Sequence, residues 1–428
     1  MPEQHQLPTV LRAVPLQAGR HLWLHRPAMH ALLICDVLFT SRVYLVPGIP
    51  ILQPLLLGTS AALILFYAAF AYMRGHIFPV LLLMSCIALI INQLYVFEAL
   101  SSVPLQFNSA FQFVWVMTFI VFFVISKDGN RHYLVNTLFM YASLYVVFYV
   151  AVALLNEFHI LPAQLLRPLI LEDHERGQRL FNYSAASAFA WFGWLYRAKT
   201  GPSMKTIVML AICGLAIFLT LSRVFMLILI LLTFAYLFRL GMSMIKVLCL
   251  SALWTASVFN LYGFVDSDWN PFALFSGDSS GSFRMLEYNV ARIFLLQNPL
   301  SGIGIAPSST DSWHLLGYDF FAAGDLGITG VWFDLGLFGL VLFFIGSHIA
   351  CKPVRDIDAS FRWPLVLTGC LMAGYGCIAP VIFYPAGATY FAILLGLWLD
   401  RRKVKSAQPL DTPLMRLRQY DGTSVLHG

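Results

Sequence analysis

Arg284, Glu287, Tyr288 and Arg292 stand within one short stretch, SGSFRMLEYNVARIFLLQNPLSGIG (residues 280–304). Arg223 interrupts the otherwise apolar run TIVMLAICGLAIFLTLSRVFMLILILLTFAYLFRL (residues 206–240). Arginine carries a permanently charged fork whose donors match phosphate oxygens two at a time. Arg223 and Arg284, joined by Arg292 and by Arg176 or Arg179, suit a pyrophosphate held without a metal ion. Proton transfer beside such a site needs a carboxylate or an imidazole within hydrogen-bond reach. Asp325, Glu287, Asp319 and His314 supply those groups, and Asp325 is the first choice. Plainer readings stand beside these. Arginines near helix ends also snorkel to lipid headgroups. Asp325 also suits the start of a helix, where a carboxylate caps and meets the dipole. Glu287 also suits an ion pair with Arg284 at i, i+3. Tyr288 and Tyr318 are candidates for acceptor or sugar contacts, against the simpler role of aromatic packing.

The elements that carry these residues follow from composition. The chain has 428 residues, 59% of them hydrophobic and 11% charged; an ordinary soluble domain carries about 25% charged residues. Runs such as LILILLTFAYLF do not alternate apolar with polar, as barrel strands must, so the expected fold is all-α and membrane-embedded. Apolar spans are expected at about 29–46, 50–73, 77–97, 108–126, 132–155, 180–197, 204–221, 223–240, 243–265, 325–350, 362–383 and 385–399. That gives about 12 transmembrane helices in a single integral membrane domain, residues 1–428. Lys and Arg gather at alternate span ends, from Arg12, Arg20 and Arg26 through Arg74, Lys127 and Arg131 to Arg401, Arg402, Lys403 and Lys405, which marks that side as cytoplasmic. Both termini, 1–28 and 400–428, fall there as tails. The net charge of +6 therefore reads as membrane topology, with no nucleic-acid partner expected.

Two long loops face the opposite side, at 156–179 and 266–324. Within the second, Phe283, Leu286, Val290, Ile293 and Phe294 follow helical spacing on one face and Arg284, Tyr288 and Arg292 on the other, so an amphipathic helix at the outer interface is expected. Arg223 is explained by a split at Leu221-Ser222. A continuous helix of about 32 residues would be roughly 48 Å long, too long for a core of about 30 Å, whereas the split puts the arginine at the outer surface. All seven cysteines lie in or beside apolar segments without a CxxC pair, so they read as packing residues and no metal site is expected. A long polar stretch precedes the first apolar segment, which carries Asp36, so no cleavable signal peptide is expected. Neither a soluble domain nor an internal repeat is legible.

Four segments in order carry a resemblance: ERGQRLFNYSAASAFAWF (175–192), LTLSRVFMLIL (219–229), FRMLEYNVARIFLLQNPLSGIG (283–304) and GDLGITGVWFDLGLFGLVLFF (324–344). Together they resemble the O-antigen polymerases and ligases, bacterial inner-membrane glycosyltransferases with many helices. The third is similar to that family's "R-x-x-x-W … PL-x-GIG" segment, with Tyr288 where tryptophan is common. The resemblance covers about residues 175–345 and implies a GT-C-like membrane enzyme acting at the periplasmic face. Its donor would be an oligosaccharide on undecaprenyl pyrophosphate, with the arginines on the pyrophosphate. An acceptor hydroxyl on the growing glycan chain would attack the anomeric carbon with inversion, needing no metal, nucleotide sugar or other cofactor. Membrane lipids and a regulator of chain length are the further partners implied.

Asp-x-Gly at Asp325-Leu326-Gly327 resembles the polymerases more than the ligases, which carry a histidine near that point; His314 keeps the ligase reading open. A transporter of lipid-linked glycans is the alternative from another class, and a non-catalytic scaffold is a third. Transporters tend to show internal repeats and broken helices near the midplane; no repeat is legible here, and the conspicuous charges fall at the outer surface. Asp36, Glu98 and Asp334 are further polar residues in or near apolar spans, and Asp334 has no account in the sequence.

Overall fold

Residues 22–46, 49, 51–101, 103–160, 162, 169–173, 177–266, 268–273, 279–306, 321–354 and 357–400 are described by the structure, a computed structural model. Thirteen helices can be followed among them. They are α1 (Leu22–Thr40), α2 (Leu52–Met73), α3 (Ile77–Ser101), α4 (Phe107–Lys127, beginning as a 3-10 turn), α5 (Arg131–Glu157), α6 (Ser184–Thr200), α7 (Met204–Leu219), α8 (Arg223–Leu237), α9 (Met242–Val265), α10 (Ser279–Gln297), α11 (Ile328–Ala350), α12 (Ala359–Tyr375) and α13 (Ala388–Leu399). Six of these, α2, α3, α4, α5, α9 and α11, are long and apolar enough to cross a membrane, and α7, α8 and α13 are shorter apolar helices. The protein is a helical membrane protein.

Burial follows the logic of a lipid solvent. α4, α6, α12 and α13 form the centre, with α13 against α4 and α12 against α6; Phe119, Phe189, Phe192 and Cys370 there are essentially inaccessible. α2, α3 and α9 instead turn Leu65, Phe78, Leu81, Trp254 and Val258 outward. Helices apolar on every side have no use for an exposed face except against hydrocarbon.

Ion pairs tie one end of the bundle together. Arg74 and His25 meet Asp128 at 2.5 and 2.8 Å, and Arg131 and Ser126 both donate to the buried Asp400 carboxylate, at 2.7 Å for the closest donor of each. His132 pairs with Asp358, and Lys246 lies 3.4 Å from His348. The start of α1 and the end of α13 therefore lie at the same end of the bundle. The candidate functional residues gather at the other.

Two expectations need correction, and one small element adds to the all-α fold. The span expected at 362–383 stops at Tyr375, and residues 376–387 form a buried, non-helical passage before α13. Gly376, Pro380, Pro385 and Gly387 explain it, since proline and glycine end helices. The helix expected from 325 begins at Ile328 and is broken inside at Gly336 (φ 66°, ψ −170°). The all-α expectation also meets a small antiparallel hairpin, β1 (Ile170–Asp173) and β2 (Gly177–Leu180), in the first long loop.

The break in α11 is filled by backbone from residues 299–305. Leu337 N–H donates to the Leu300 carbonyl (3.0 Å), while Ile303 and Gly304 N–H groups both donate to the Phe333 carbonyl (2.8 and 3.2 Å). Ile305 N–H continues to the Gln93 carbonyl on α3 (3.2 Å). Gly302, Gly304 and Gly336 all have positive φ. A Cβ at Gly302 would meet the Trp332 and Phe333 carbonyls at 2.6 Å, and one at Gly336 would meet the Leu300 and Ser301 carbonyls at 2.6 Å. Such φ values cost an L side chain roughly 1–2 kcal/mol even without the clash. Gly302→Ala and Gly336→Ala are therefore expected to lower the unfolding temperature and the monodisperse yield in detergent. Gly58→Ala, on the outer face of α2 with nothing within 4 Å, should leave both unchanged.

Candidate functional site

α10 is amphipathic as expected, but its faces are the reverse of those of a soluble helix. Phe283, Leu286, Ile293 and Leu296 are exposed, while Glu287, Tyr288, Ala291 and Leu295 are buried against the protein. Val290, expected with the outward apolar set, is buried too. Glu287 and Tyr288 thus face the bundle and an apolar stripe faces outward, the orientation an interfacial helix needs.

Two of the expected ligands are consumed in holding that orientation. Tyr288 is fully buried and its hydroxyl donates to the Asn260 carbonyl of α9 at 2.5 Å. Its ring packs against Phe264 and Phe272. It is a packing residue out of reach of a sugar, which corrects its expected role. Arg292 donates to the Gly263 carbonyl at 3.1 Å. Both side chains fasten α10 to the end of α9, so Arg292 is committed to an anchor rather than left for a phosphate.

The remaining charges converge. An Arg284 guanidinium nitrogen lies 3.9 Å from a carboxylate oxygen of Asp325, and the two side chains are 25% and 50% exposed. Asp325 occupies a 3-10 turn (Ala323–Asp325) three residues before α11, and Gly327 takes the helix cap, so the carboxylate does not cap the helix and is left half exposed toward Arg284. Gly327 has φ 58°, and a Cβ there would run into the Cys377 carbonyl, so this turn is clasped to the passage after α12. One turn along α10 from Arg284, Glu287 accepts the Ala322 N–H at 2.8 Å. Burial raises its carboxyl to about 8 from 4.5; the Ala322 N–H opposes the shift, Asp325 adds to it and Arg284 opposes it.

Arg42 joins this group. It follows α1 in a left-handed backbone conformation (φ 58°) that aims its guanidinium 3.2 Å above the Phe181 ring centre. Burial lowers its pKa, while Tyr44 and Asp325 pull it back up, so its charge is felt at the same carboxylate. Arg223 stands at the first residue of α8, exposed, after a turn in which Leu221 has positive φ and Ser222 Oγ lies 3.2 Å from the Tyr375 hydroxyl. The next residue, Val224, packs into the apolar cluster that holds Met285, Tyr288 and Phe321, which brings Arg223 to the border of the same region.

Other expected residues fall elsewhere. Arg179 stands in β2 opposite Leu171. Arg176, His314, Tyr318 and Asp319 lie outside the described residues. Asp334, which had no account in the sequence, accepts a hydrogen bond from Tyr384 in the passage after α12. Asp36 accepts from Thr40 and from Tyr183, at the start of α6. Arg42 is the residue the sequence reading left out of the site; its place among the few arginines on that side was the available signal.

The arrangement can do two things chemically. Arg284 presents a cationic fork 3.9 Å from the Asp325 carboxylate, Arg42 acts on the same carboxylate from further off, and a second carboxylate, Glu287, keeps its proton near neutral pH. No family model matches the chain, and no curated protein matches it.

Glu287 also links stability to pH. Its folded pKa is raised, so the protonated form contributes stability that is complete below the ordinary value of 4.5 and is lost as pH rises toward about 8. Glu287→Gln, which fixes the neutral form, should unfold at a higher temperature than the wild type above pH 8 and at the same temperature below pH 4.5. Thermal unfolding in detergent across that range checks the sign.

Proposed function

We propose that the protein is a membrane glycosyltransferase that polymerises undecaprenyl-pyrophosphate-linked oligosaccharide repeat units. The carrying observation is the convergence of Arg284, Asp325, Glu287 and Arg42 at one end of the bundle, beside an amphipathic helix whose apolar face turns outward. A donor with a polyprenyl tail and a pyrophosphate head presents its anionic group at that depth. The four segments that resemble the O-antigen polymerase and ligase family include the turn bearing Arg223, the helix bearing Arg284 and the turn bearing Asp325. On this reading the chain crosses the bacterial inner membrane about 12 times, with both termini in the cytoplasm, where the Lys- and Arg-rich ends fall, and the site faces the periplasm.

The acceptor hydroxyl on one glycan attacks the anomeric carbon of the other. A new carbon–oxygen bond forms as the bond to the pyrophosphate oxygen breaks, and undecaprenyl pyrophosphate leaves with the electron pair. Asp325 takes the hydroxyl proton. Arg284, Arg42 and Arg223 meet the negative charge that develops on the leaving group, which is where fixed cations lower a barrier. Glu287 stays protonated and donates to a substrate oxygen. It also spares the site a second negative charge next to the pyrophosphate.

The test is the purified protein with undecaprenyl-pyrophosphate-linked repeat units and no added metal, with the glycan resolved on a gel. A ladder of lengths is expected. Arg284→Ala and Asp325→Asn, checked for native unfolding temperature, should each slow it on the order of 100-fold or more; Arg223→Ala should weaken it too. No ladder from an intact donor and a folded protein overturns the polymerase reading, and the same donor then goes to a core-lipid acceptor and to a flipping assay.

A further inference from the structure

Three cysteines far apart in sequence meet inside the bundle at the end opposite the proposed active site. Cys249 of α9, Cys351 at the end of α11 and Cys370 of α12 bring their Sγ atoms within 4.8 Å of one another, Cys351 and Cys370 buried and Cys249 half-buried. The cluster is organised around them: Cys249 Sγ donates to the Cys370 carbonyl at 2.9 Å. Among the described residues no other group of histidine, cysteine or carboxylate ligands is gathered this way.

The ligand set selects its guest. All three donors are soft sulfurs, with no imidazole or carboxylate among them. Sulfur about 2.3 Å from a metal at the centre of an equilateral triangle requires S···S separations of about 4.0 Å, so thiols already within 4.8 Å of one another need only small side-chain rotations. Zinc sites close with a fourth ligand in a tetrahedron; the imidazole of His348 stands a helical turn away at the outer edge and is exposed. A monovalent, thiophilic ion that accepts three ligands fits the three sulfurs alone, and copper(I) is, with zinc and iron–sulfur clusters, among the metals soft thiolates select.

A second pair of residues supports the same conclusion. Lys246 precedes Cys249 by three residues on α9, and His348 precedes Cys351 by three on α11, so each lies about one helical turn from its cysteine. Lys246 Nζ and His348 Nε2 are 3.4 Å apart, and His348 is exposed. The pair forms the outer edge of the cluster at the charged end of the bundle. Lysine offsets the negative charge left when thiolates outnumber the charge of the ion, and the exposed imidazole is an entry point for the metal and an exit for the displaced thiol protons. The geometry points to a copper(I) site built from Cys249, Cys351 and Cys370, entered past His348 and independent of the glycan chemistry at the other end.

The full chain, reduced and purified in detergent, is titrated with copper(I) against a chromogenic copper(I) chelator. One ion per chain is expected to resist the chelator, and X-ray absorption of that complex should show three sulfur neighbours at about 2.3 Å. Cys249→Ser and Cys370→Ser should each lose the chelator-resistant ion. Cys213→Ser, a lone buried cysteine, should keep it. His348→Ala should load more slowly without changing the final stoichiometry. Equal retention by wild type and Cys249→Ser overturns the proposal. So does a wild-type absorption spectrum with nitrogen or oxygen neighbours or only two sulfurs, a reading that does not depend on any variant folding.

Discussion

A backbone group inside a bilayer has no water to bond to, and the architecture around the site follows from that constraint. An unmet N–H or carbonyl in hydrocarbon costs several kcal/mol, so non-helical backbone survives only where protein satisfies it. α11 breaks at Gly336, and the groups it releases are taken up by residues 299–305: Leu337 N–H by Leu300, the Phe333 carbonyl by Ile303 and Gly304. The segment that does this is the direct continuation of α10. Fixing its end fixes the helix, and with it the positions of Arg284 and Glu287. The PLSGIG motif is thus a structural splice, and its glycines are required by approach distances to carbonyl oxygens rather than by contact with a substrate.

The same constraint explains the second interruption. Residues 376–387 run non-helically between α12 and α13, where they are enclosed by protein, and Tyr384 reaches across to Asp334 on α11. Gly327, at the start of α11, lies against Cys377 of this passage. The two irregular stretches therefore grip the turn that carries Asp325 from both sides, one through the body of α11 and one through its start. The backbone of Asp325 is held this way, while its half-exposed carboxylate faces Arg284 across 3.9 Å and keeps access for a reactant.

Local signals made much of this legible in the sequence. The long apolar runs gave α2, α3, α5, α7, α8 and α9 to within four residues at each end, because a run of hydrocarbon-compatible residues leaves little choice but a helix. The split before Arg223 followed from length alone. The amphipathic spacing of 280–297 gave α10 and its outward apolar stripe, but not the role of Tyr288, because an aromatic one position from Glu287 serves as packing as readily as it serves a ligand. The pieces missed depend on residues distant in the chain. Arg42 joins the site through an unusual backbone angle in a turn, the break at Gly336 is stabilised by residues more than 30 positions earlier, and the three cysteines meet only because α9, α11 and α12 pack together.

Charge is distributed between the two ends according to what each has to do. At one end every carboxylate named has a close side-chain partner: Asp128 has Arg74 and His25, Asp400 has Arg131, and Asp358 has His132. Pairing of that kind consumes the reactivity of both partners and leaves a tied rim. At the other end the pairs are loose or mismatched. Arg284 approaches Asp325 only to 3.9 Å, Arg42 lies over a ring rather than against a carboxylate, and Glu287 is buried with a backbone N–H in place of a cation. Ion pairs already closed would have to be broken before a phosphate could bind, at the cost of their desolvated attraction. Forks and carboxylates left incompletely matched avoid that cost, and on the proposed function the donor's doubly charged pyrophosphate, entering between Arg42 and Arg284, would complete a pattern that the protein's own residues leave open.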